Sequence, residues 1–244
     1  MIKEKIYVII PCYNEAAAIR KTVEHLLQVR PDVTAVVVDD GSTDNSVEEI
    51  KKITGERVVS LVQPFNCGIG TTVETGLLYA YRNNADYAIK FDGDGQHLAE
   101  EIELLLTPLR NGVADLTIGS RFMGNKTGFK STFVRRIGIK FFQILAWVLT
   151  GQKLTDNTSG FRAYNKSALA FAARYYPAFD YPEPEENILF LKNKFRVQEV
   201  PCEMNIRQGG SSSISSLKAV YYMLKVSLAM IMAASRAPVC ERKN

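Results

Sequence analysis

The sequence has little of what most protein metal centres are built from. It contains two histidines, His25 and His97, and four cysteines that are scattered without a Cys-x-x-Cys pair. Two histidines are too few for a histidine-based metal site. Isolated cysteines are typical of reduced thiols in a cytoplasmic protein rather than of a disulfide framework.

Strong charge and a targeting signal are absent as well. The formal net charge is only +4 over 244 residues, so the bulk charge does not favour a nucleic-acid ligand. Residues 1–5 (Met-Ile-Lys-Glu-Lys) lack the apolar core and the small-residue cleavage site of a signal peptide. We therefore expect a cytoplasmic protein that does not bind nucleic acid.

Short apolar runs alternate with amphipathic segments over the first half of the chain. Strands are predicted at residues 6–10, 35–38, 58–62, 87–91 and 116–119, with a later strand at 196–201. Helices are predicted at residues 15–29, 45–53, 71–82, 100–109, 134–149 and 217–236. This pattern predicts an α/β fold with a Rossmann-like, mostly parallel sheet and helices on both faces. Ligands of such sheets bind at the carboxyl ends of the strands.

The most distinctive strand end is the acidic turn Asp92-Gly93-Asp94, which is followed by Gln96. Two carboxylates two residues apart would repel each other if both were charged and unpaired. A hard cation such as Mg²⁺ or Mn²⁺ relieves that repulsion, because it favours carboxylate, phosphate and water oxygens. The turn predicts a divalent metal site at Asp92 and Asp94 with support from Gln96, although an ordinary Asp-Gly turn has the same local sequence.

Other strand ends carry residues suited to a nucleotide. The segment Pro11-Cys12-Tyr13-Asn14-Glu15 follows the first strand, and Asp39-Asp40-Gly41-Ser42-Thr43-Asp44 follows the second. Acidic side chains there can accept hydrogen bonds from ribose hydroxyls or base N–H groups, while Ser42 and Asp44 are equally suited to cap the next helix. Gly68 precedes a predicted helix N-terminus, where a small residue lets the backbone approach a nucleotide or its phosphates.

Five motifs occur in one order along the chain. They are Pro11-x-Tyr-Asn-Glu15, Val38-Asp-Asp-Gly-Ser-Thr-Asp44, Asp92-Gly-Asp-Gly-Gln96, Gly119-Ser-Arg121 and Thr158-Ser-Gly-Phe-Arg162. In this combination the chain resembles a family 2 glycosyltransferase of the GT-A fold. It looks most like the branch of dolichol-phosphate mannose synthases and bacterial polyprenyl-phosphate sugar synthases, from about Ile6 to Ser213.

The resemblance implies an inverting transfer from a nucleoside-diphosphate sugar, with the metal ion at Asp92, Asp94 and Gln96. It implies nucleotide contacts from Pro11, Tyr13, Glu15, Asp39 and Asp92, and a contact between Arg207 and the donor phosphates. Arg121 matches a family arginine near the acceptor and the phosphates. Gly68 and Gly93 complete the predicted donor site.

Two chemistries remain open for the acceptor. A phosphate acceptor, such as a polyprenyl phosphate, is already an anion at neutral pH, so it needs no strong base, and Arg121 and Arg135 would orient it. A sugar hydroxyl of a lipid-linked glycan needs a carboxylate base within hydrogen-bond reach. The candidate bases are Asp156, Glu183 and Glu185.

Two apolar segments beside basic residues indicate a membrane surface. Residues 134–149 begin with Arg135, Arg136 and Lys140, and residues 217–236 form a predicted amphipathic helix. The apolar stripe of that helix comprises Leu217, Val220, Tyr221, Leu224, Leu228, Ile231 and Met232. Lys225 makes a membrane span costly, so an interfacial helix and a helix packed on the domain are the two readings.

The predicted organisation is a GT-A glycosyltransferase domain at residues 1–213 and a C-terminal amphipathic, membrane-associated helix and tail at residues 214–244. The predicted function is sugar transfer to a membrane-linked acceptor in cell-surface polysaccharide synthesis, at the inner face of the cell membrane. A membrane-protein partner or a second copy of the chain is compatible with this role. The alternative is a non-catalytic nucleotide-sugar-binding or scaffold subunit.

Overall fold

A computed structural model describes residues 4–53, 55–123, 133–177, 181–205 and 216–239. Within these ranges the chain forms one sheet of seven strands and eight α-helices. The strands are β1 (Ile6–Cys12), β2 (Val33–Asp39), β3 (Val58–Val62), β4 (Tyr87–Lys90), β5 (Leu116–Ser120), β6 (Arg162–Asn165) and β7 (Val197–Pro201). The helices are α1 (Ile19–Val29), α2 (Ser46–Lys51), α3 (Ile69–Arg82), α4 (Ile102–Arg110), α5 (Phe133–Thr150), α6 (Lys166–Tyr175), α7 (Glu183–Lys192) and α8 (Ser216–Ser235).

The sheet has the strand order β3-β2-β1-β4-β6-β5-β7. Every neighbouring pair is parallel except the two pairs that include β6, which runs antiparallel to both β4 and β5. Central-strand residues such as Ile9, Ile10 and Val37 are completely buried, as expected for a sheet covered on both faces. The predicted GT-A-like α/β fold with a mostly parallel sheet is confirmed.

Helix α3 lies unusually close to β1. A Cβ atom on Gly76 would fall 2.2 Å from Cγ2 of Ile9, which is shorter than any real contact. Glycine at this position therefore allows the helix to rest directly on the strand. The close approach fixes the start of α3, and with it Gly68, at the carboxyl edge of the sheet.

The sequence reading assigned no strand to residues 162–165 and no helix to α6 or α7, and these omissions are corrected here. Strand β6 does not show the apolar pattern of a central strand, because it contains Arg162 and Tyr164. Both side chains are nevertheless fully buried. Both side chains bond to Glu186, on α7, instead of to water. Because Glu186 satisfies both polar side chains, a strand with a polar sequence can lie in the interior of the sheet.

Helix α8 agrees with the reading of the C-terminal segment as a helix packed on the domain, and the interfacial reading stays a prediction. It packs on α5 and α7 through Val226, Met230 and Ala233, which are buried. The members of the predicted apolar stripe whose side chains are described remain exposed: Tyr221, Leu224, Leu228, Ile231 and Met232. In the part of the chain that the structure describes, no helix is long and apolar enough to cross a membrane. The predicted boundary at residues 213 and 214 lies outside the described residues.

Candidate functional site

The loops that follow β1 and β2 interlock at the carboxyl edge of the sheet. Asn14 adopts a left-handed conformation with φ of 54°. Its side-chain Oδ1 accepts a hydrogen bond from the Thr43 backbone N–H at 2.8 Å, and its own N–H donates to Ser42 Oγ at 3.0 Å. The Glu15 N–H donates to Ser46 Oγ at 2.8 Å. The two segments predicted to meet a nucleotide, Pro11 to Glu15 and Asp39 to Asp44, therefore lie side by side.

Asp39 holds a buried acceptor that is not satisfied within the described residues. The side chain is buried at the end of β2, where its Oδ2 accepts a hydrogen bond from the Ser42 N–H at 3.0 Å. Its Oδ1 has no hydrogen-bond partner in that part of the chain. A buried oxygen without a donor costs free energy, which a ligand N–H group can recover. The arrangement fits the base of a nucleotide.

Asp40 organises the approach to α3, a role that the sequence reading did not give it. Its carboxylate accepts hydrogen bonds from the Cys67 N–H at 2.7 Å and the Gly68 N–H at 3.0 Å. Gly41 makes this packing possible, because its φ is +66° and an added Cβ would lie 2.6 Å from the Phe65 backbone carbon. The second aspartate of the Asp-Asp-Gly segment thus anchors the loop that contains Gly68.

The acidic turn after β4 is supported by His97. The Asp92 N–H donates to Nδ1 of His97 at 2.9 Å, and Nε2 of the same ring lies 3.4 Å from Oδ2 of Asp92. Burial lowers the pKa of His97, and the ring stacks on Phe161 with 4.7 Å between centroids. Because Nδ1 accepts a hydrogen bond, the neutral ring has its proton on Nε2, facing Asp92. His97 therefore acts as a support for the turn.

The residues of the turn fit a divalent ion that is only partly coordinated by protein. Asp92 is half-buried and Asp94 is buried, and Oδ1 of Asp94 accepts a hydrogen bond from the Gln96 N–H at 3.0 Å. No group of three or more His, Cys, Asp and Glu side chains in the described ranges could hold a metal. Mg²⁺ typically takes one or two carboxylates and completes its shell with phosphates and water, which matches a pair of aspartates.

Two glycines keep space around the acidic turn. A Cβ on Gly160 would lie 3.3 Å from both carboxylate oxygens of Asp92, in the space where a ligand of that carboxylate would sit. A Cβ on Gly93 would lie 3.2 Å from the carbonyl oxygen of Pro11. The missing side chains let the turn pack against β1 and leave Asp92 accessible.

Arg121 and Asp156 form a rigid pair at the end of β5. The guanidinium donates to both carboxylate oxygens of Asp156 at 2.7 Å, and its Nη2 also donates to Thr158 Oγ1 at 2.8 Å. Burial alone would lower the pKa of Arg121, but the hydrogen bonds and charge of Asp156 raise it. Since both oxygens of the fully buried Asp156 are engaged, its predicted role as a general base is disfavoured, and Asp156 instead orients Arg121.

The two candidate glutamates of α7 have different surroundings. Glu183 forms an ion pair with Lys90, which is buried at the end of β4, two residues before Asp92 of the acidic turn. Burial raises the pKa of Glu185, and the charge that opposes the shift is Arg236, which follows α8. The ion pair therefore places Glu183 beside the strand that leads into the acidic turn, whereas Glu185 is influenced by the charge of Arg236.

A buried polar network holds the first turns of α7 against the sheet. Arg162 donates to Oε2 of Glu186 at 2.9 Å and to Oδ1 of Asn187 at 2.7 Å, and the Tyr164 hydroxyl donates to Oε1 of Glu186 at 2.7 Å. The sequence reading named Arg162 within a motif but did not identify Lys90 or Glu186. A lysine that ends an apolar strand was the available signal for Lys90.

Several predicted contributors fall outside the description. Arg207 belongs to residues 206–215, which the structure does not describe. The side chain of Arg135 is likewise not described. Their predicted contacts with the donor phosphates and with an acceptor phosphate stay predictions.

Comparison with known proteins agrees with this geometry. The model of the family described as "Glycosyl transferase family 2" matches residues 7–171. The chain is 29% identical to a UDP-N-acetylglucosamine–dolichyl-phosphate N-acetylglucosaminyltransferase of Methanococcus voltae, over 95% of this chain and 100% of that protein. It is also 29% identical to a polyprenol monophosphomannose synthase of Mycolicibacterium smegmatis, over 92% of this chain and 86% of that protein.

Solved structures show the same fold at lower identity. Glucosyl-3-phosphoglycerate synthase from Mycobacterium tuberculosis, in complex with Mn²⁺, uridine diphosphate and phosphoglyceric acid, superimposes with a TM-score of 0.71 at 16% identity. The match covers 95% of this chain and 79% of that chain. It supports the GT-A architecture of the sheet and its helices.

Cys67 offers a direct probe of the loop before α3. It is partly exposed beside Gly68, whereas Cys12 and Cys202 are buried and burial raises the pKa of Cys12 to about 12. We expect iodoacetamide to alkylate Cys67 in the folded protein and Cys12 only after unfolding. A nucleoside diphosphate at ten times its Kd should slow alkylation of Cys67 about tenfold, because bound ligand covers the loop. Peptide mass spectrometry measures both rates; an unchanged Cys67 rate at saturating nucleotide would contradict this placement of the donor.

Proposed function

Since the chain belongs to glycosyl transferase family 2, we propose that it transfers a sugar, with inversion, from a nucleoside-diphosphate sugar to the phosphate of a membrane-linked lipid. The reaction takes place at the cytoplasmic face of the cell membrane, in the synthesis of cell-surface polysaccharide. The relatives from Methanococcus voltae and Mycolicibacterium smegmatis support this choice, since their names specify dolichyl phosphate and polyprenol monophosphomannose.

The observation that supports a phosphate acceptor is that two of the three candidate bases, Asp156 and Glu183, are already engaged by cations. Asp156 is bound by Arg121 through both oxygens, and Glu183 is paired with a buried lysine. Glu185 has no such ion pair within the described residues: burial raises its pKa, and the charge of Arg236 only opposes that shift. A phosphate acceptor needs no base, and Arg121 supplies the cation that would orient it.

The donor half of the proposal rests on the carboxyl ends of β1, β2 and β4. The nucleotide lies against Pro11, Tyr13, Glu15, Asp39 and Gly68, with the unsatisfied oxygen of Asp39 accepting a base N–H. Asp92 and Asp94, with Gln96 and Gly93 in the same turn, would hold Mg²⁺ or Mn²⁺ close to the diphosphate. That ion, when bound, neutralises the charge that develops on the leaving group, and Arg207 adds to this effect.

The transfer step requires no proton transfer. An oxygen of the acceptor phosphate forms a bond to the anomeric carbon from the face opposite the leaving group. The bond from that carbon to the nucleoside diphosphate breaks, and the electron pair leaves with the diphosphate. Arg121 keeps the acceptor phosphate in line for this attack, and its pairing with Asp156 restricts the orientations of the guanidinium.

The metal half of the proposal predicts a large loss of activity in Asp94→Asn. Removing one carboxylate weakens the ion that stabilises the departing diphosphate, and losses of about 10²- to 10³-fold in kcat are typical when such stabilisation is removed. Transfer should also stop in EDTA and return with Mn²⁺. The control is Asp32→Asn, which changes an aspartate paired with Arg30 at the opposite edge of the sheet. Wild-type turnover by Asp94→Asn would rule out the proposed metal site.

The acceptor chemistry is tested with a bare polyprenyl phosphate and with a lipid-linked glycan. We expect product on the lipid phosphate, and we expect Glu183→Gln and Glu185→Gln each to lower kcat by less than about tenfold. Loss of a true general base costs about 10²- to 10⁴-fold. Product only on the glycan, with a loss of that size in Glu183→Gln, would establish a hydroxyl acceptor instead. Metal-dependent nucleotide binding without transfer to either acceptor would favour the non-catalytic scaffold subunit.

The membrane part of the proposal rests on an apolar face formed by α5 and α8. The two helices pack together, with the rings of Phe142 and Tyr222 5.6 Å apart. The apolar face consists of the exposed side chains Phe141, Ile144, Trp147, Val148, Tyr221, Leu224, Leu228, Ile231 and Met232. Lysines border it: Lys153 lies 5.3 Å from the ring centre of Trp147, and Lys225 lies 5.9 Å from that of Tyr221. Apolar residues with a cationic border fit the surface of an anionic bilayer.

We expect the double variant Leu224→Gln/Leu228→Gln to bind vesicles containing phosphatidylglycerol at least about tenfold more weakly than the wild type. Burial of one leucine contributes roughly 1.5–3 kcal/mol, so even partial insertion of two has an effect of this size. Vesicle sedimentation measures the change, and Leu104→Gln is the matched control because Leu104 is exposed on α4. Unchanged vesicle binding would contradict the membrane contact. A dimer in solution that this double variant disrupts would assign the apolar face to a second copy of the chain.

A further inference from the structure

Glu199 lies in the middle of β7 and faces the loop that carries Asp156. Its Oε2 accepts a hydrogen bond from the Thr155 N–H at 2.6 Å. Its Oε1 accepts one from the Asp156 N–H at 2.6 Å and one from the Thr155 hydroxyl at 3.0 Å. No sequence motif indicated this residue. One carboxylate thus fixes two successive backbone N–H groups of a loop at the site.

The contacts continue from Glu199 to Arg121. Glu199 accepts a hydrogen bond from the Asp156 backbone, and both carboxylate oxygens of Asp156 accept hydrogen bonds from the guanidinium of Arg121. The Arg121 backbone N–H also donates to Asp156, at 3.1 Å. Strand β7 is the parallel neighbour of β5, and Glu199 is in register with Ile118, three residues before Arg121. The series of bonds therefore spans one pair of strands and ends at the cation that meets the acceptor.

We propose that Glu199 is a positioning residue for Arg121: it fixes the Thr155–Asp156 backbone so that the Asp156 carboxylate presents the guanidinium to the acceptor phosphate. This inference rests on the proposed role of Arg121 in transfer. Arginine side chains have large rotamer freedom, and a guanidinium that is already fixed loses less of it when the acceptor binds.

Other bonds hold the same loop in place without Glu199. Gln143, on α5, donates from Nε2 to the Thr155 carbonyl oxygen at 2.6 Å. Ser120 Oγ lies 2.7 Å from Thr155 Oγ1. Loss of the Glu199 carboxylate should therefore change the orientation of Asp156 more than it changes the fold. A residue with only a structural role would lower stability and affect donor and acceptor alike.

The variant Glu199→Gln separates these roles. The glutamine oxygen can still accept from Asp156 and the Thr155 hydroxyl, but its NH₂ group then faces the Thr155 N–H, which is also a donor. We expect kcat/KM for polyprenyl phosphate to fall about 10- to 100-fold, since a misplacement of about 1 Å at a reacting group has effects of that size. The Kd of the nucleoside diphosphate with Mn²⁺, measured by calorimetry, should stay unchanged. Glu56→Gln, an exposed glutamate before β3, is the control.

A double-variant cycle decides whether Glu199 acts through Arg121. If it does, Arg121→Ala/Glu199→Gln is no slower than Arg121→Ala alone, because the residue that Glu199 positions is already gone. Losses that multiply, or an equal loss of nucleotide affinity, overturn the inference and leave the proposed function intact. Wild-type transfer by Arg121→Ala overturns the proposed role of Arg121 itself. If Glu199→Gln fails to fold, Glu199→Asp, which keeps the charge on a shorter side chain, enters the same cycle with the same criteria.

Discussion

The buried guanidinium of Arg162 is the constraint on which the position of α7, and with it that of Glu183, depends. It lies on β6, in the interior of the sheet, without access to water. An unpaired charge there would cost several kcal/mol, so the side chain requires an anion and further acceptors. Glu186 and Asn187 provide them from α7, and this requirement fixes where α7 docks. The docking in turn brings Glu183 into an ion pair with Lys90, two residues before Asp92 of the acidic turn. One buried cation thereby fixes the position of α7 relative to the acidic turn.

The grouping of the predicted donor residues at one edge of the sheet could be predicted from the sequence because these residues are local to strand ends. Asp39 and Asp92 each follow an apolar run directly, and parallel strands bring their carboxyl ends to one edge without further information. The supports of these residues were harder to recognise. His97 was counted only as one of two histidines, and its role arises from burial against Phe161. Asp40 stands beside Asp39 in sequence, yet its contacts are with Cys67 and Gly68, which lie after the next strand.

The ion pairs around the candidate acceptor residues could not be predicted, because the partners in each pair are distant in sequence. Arg121 and Asp156 are separated by 35 residues, and Lys90 and Glu183 by 93, so no local pattern shows that these charges meet. For the same reason, the sequence did not show that Asp156 and Glu183 are paired, and both were taken as candidate bases. Strand β6 was missed for a related reason, since its buried arginine and tyrosine are satisfied by a helix that follows later. In α8 the apolar stripe was read correctly, but hydrophobicity alone did not reveal that Val226 and Met230 form a second, buried face.

The reversed strand β6 has a consequence for how such a protein can diversify. It separates the parallel strands β3, β2, β1 and β4 from the parallel pair β5 and β7. The residues that we propose for the donor follow strands of the first group, and Arg121 and Glu199, which we propose for the acceptor, belong to the second group and its loops. Substitutions on the β5 and β7 side can accumulate where they leave intact the contacts between the groups, such as the hydrogen bond from the Asn205 N–H to the Gln96 carbonyl oxygen. If the proposed roles hold, an ancestral chain of this design can acquire a new acceptor while it retains its donor. Descendants with the same nucleotide-binding residues can then differ in the molecule that they modify.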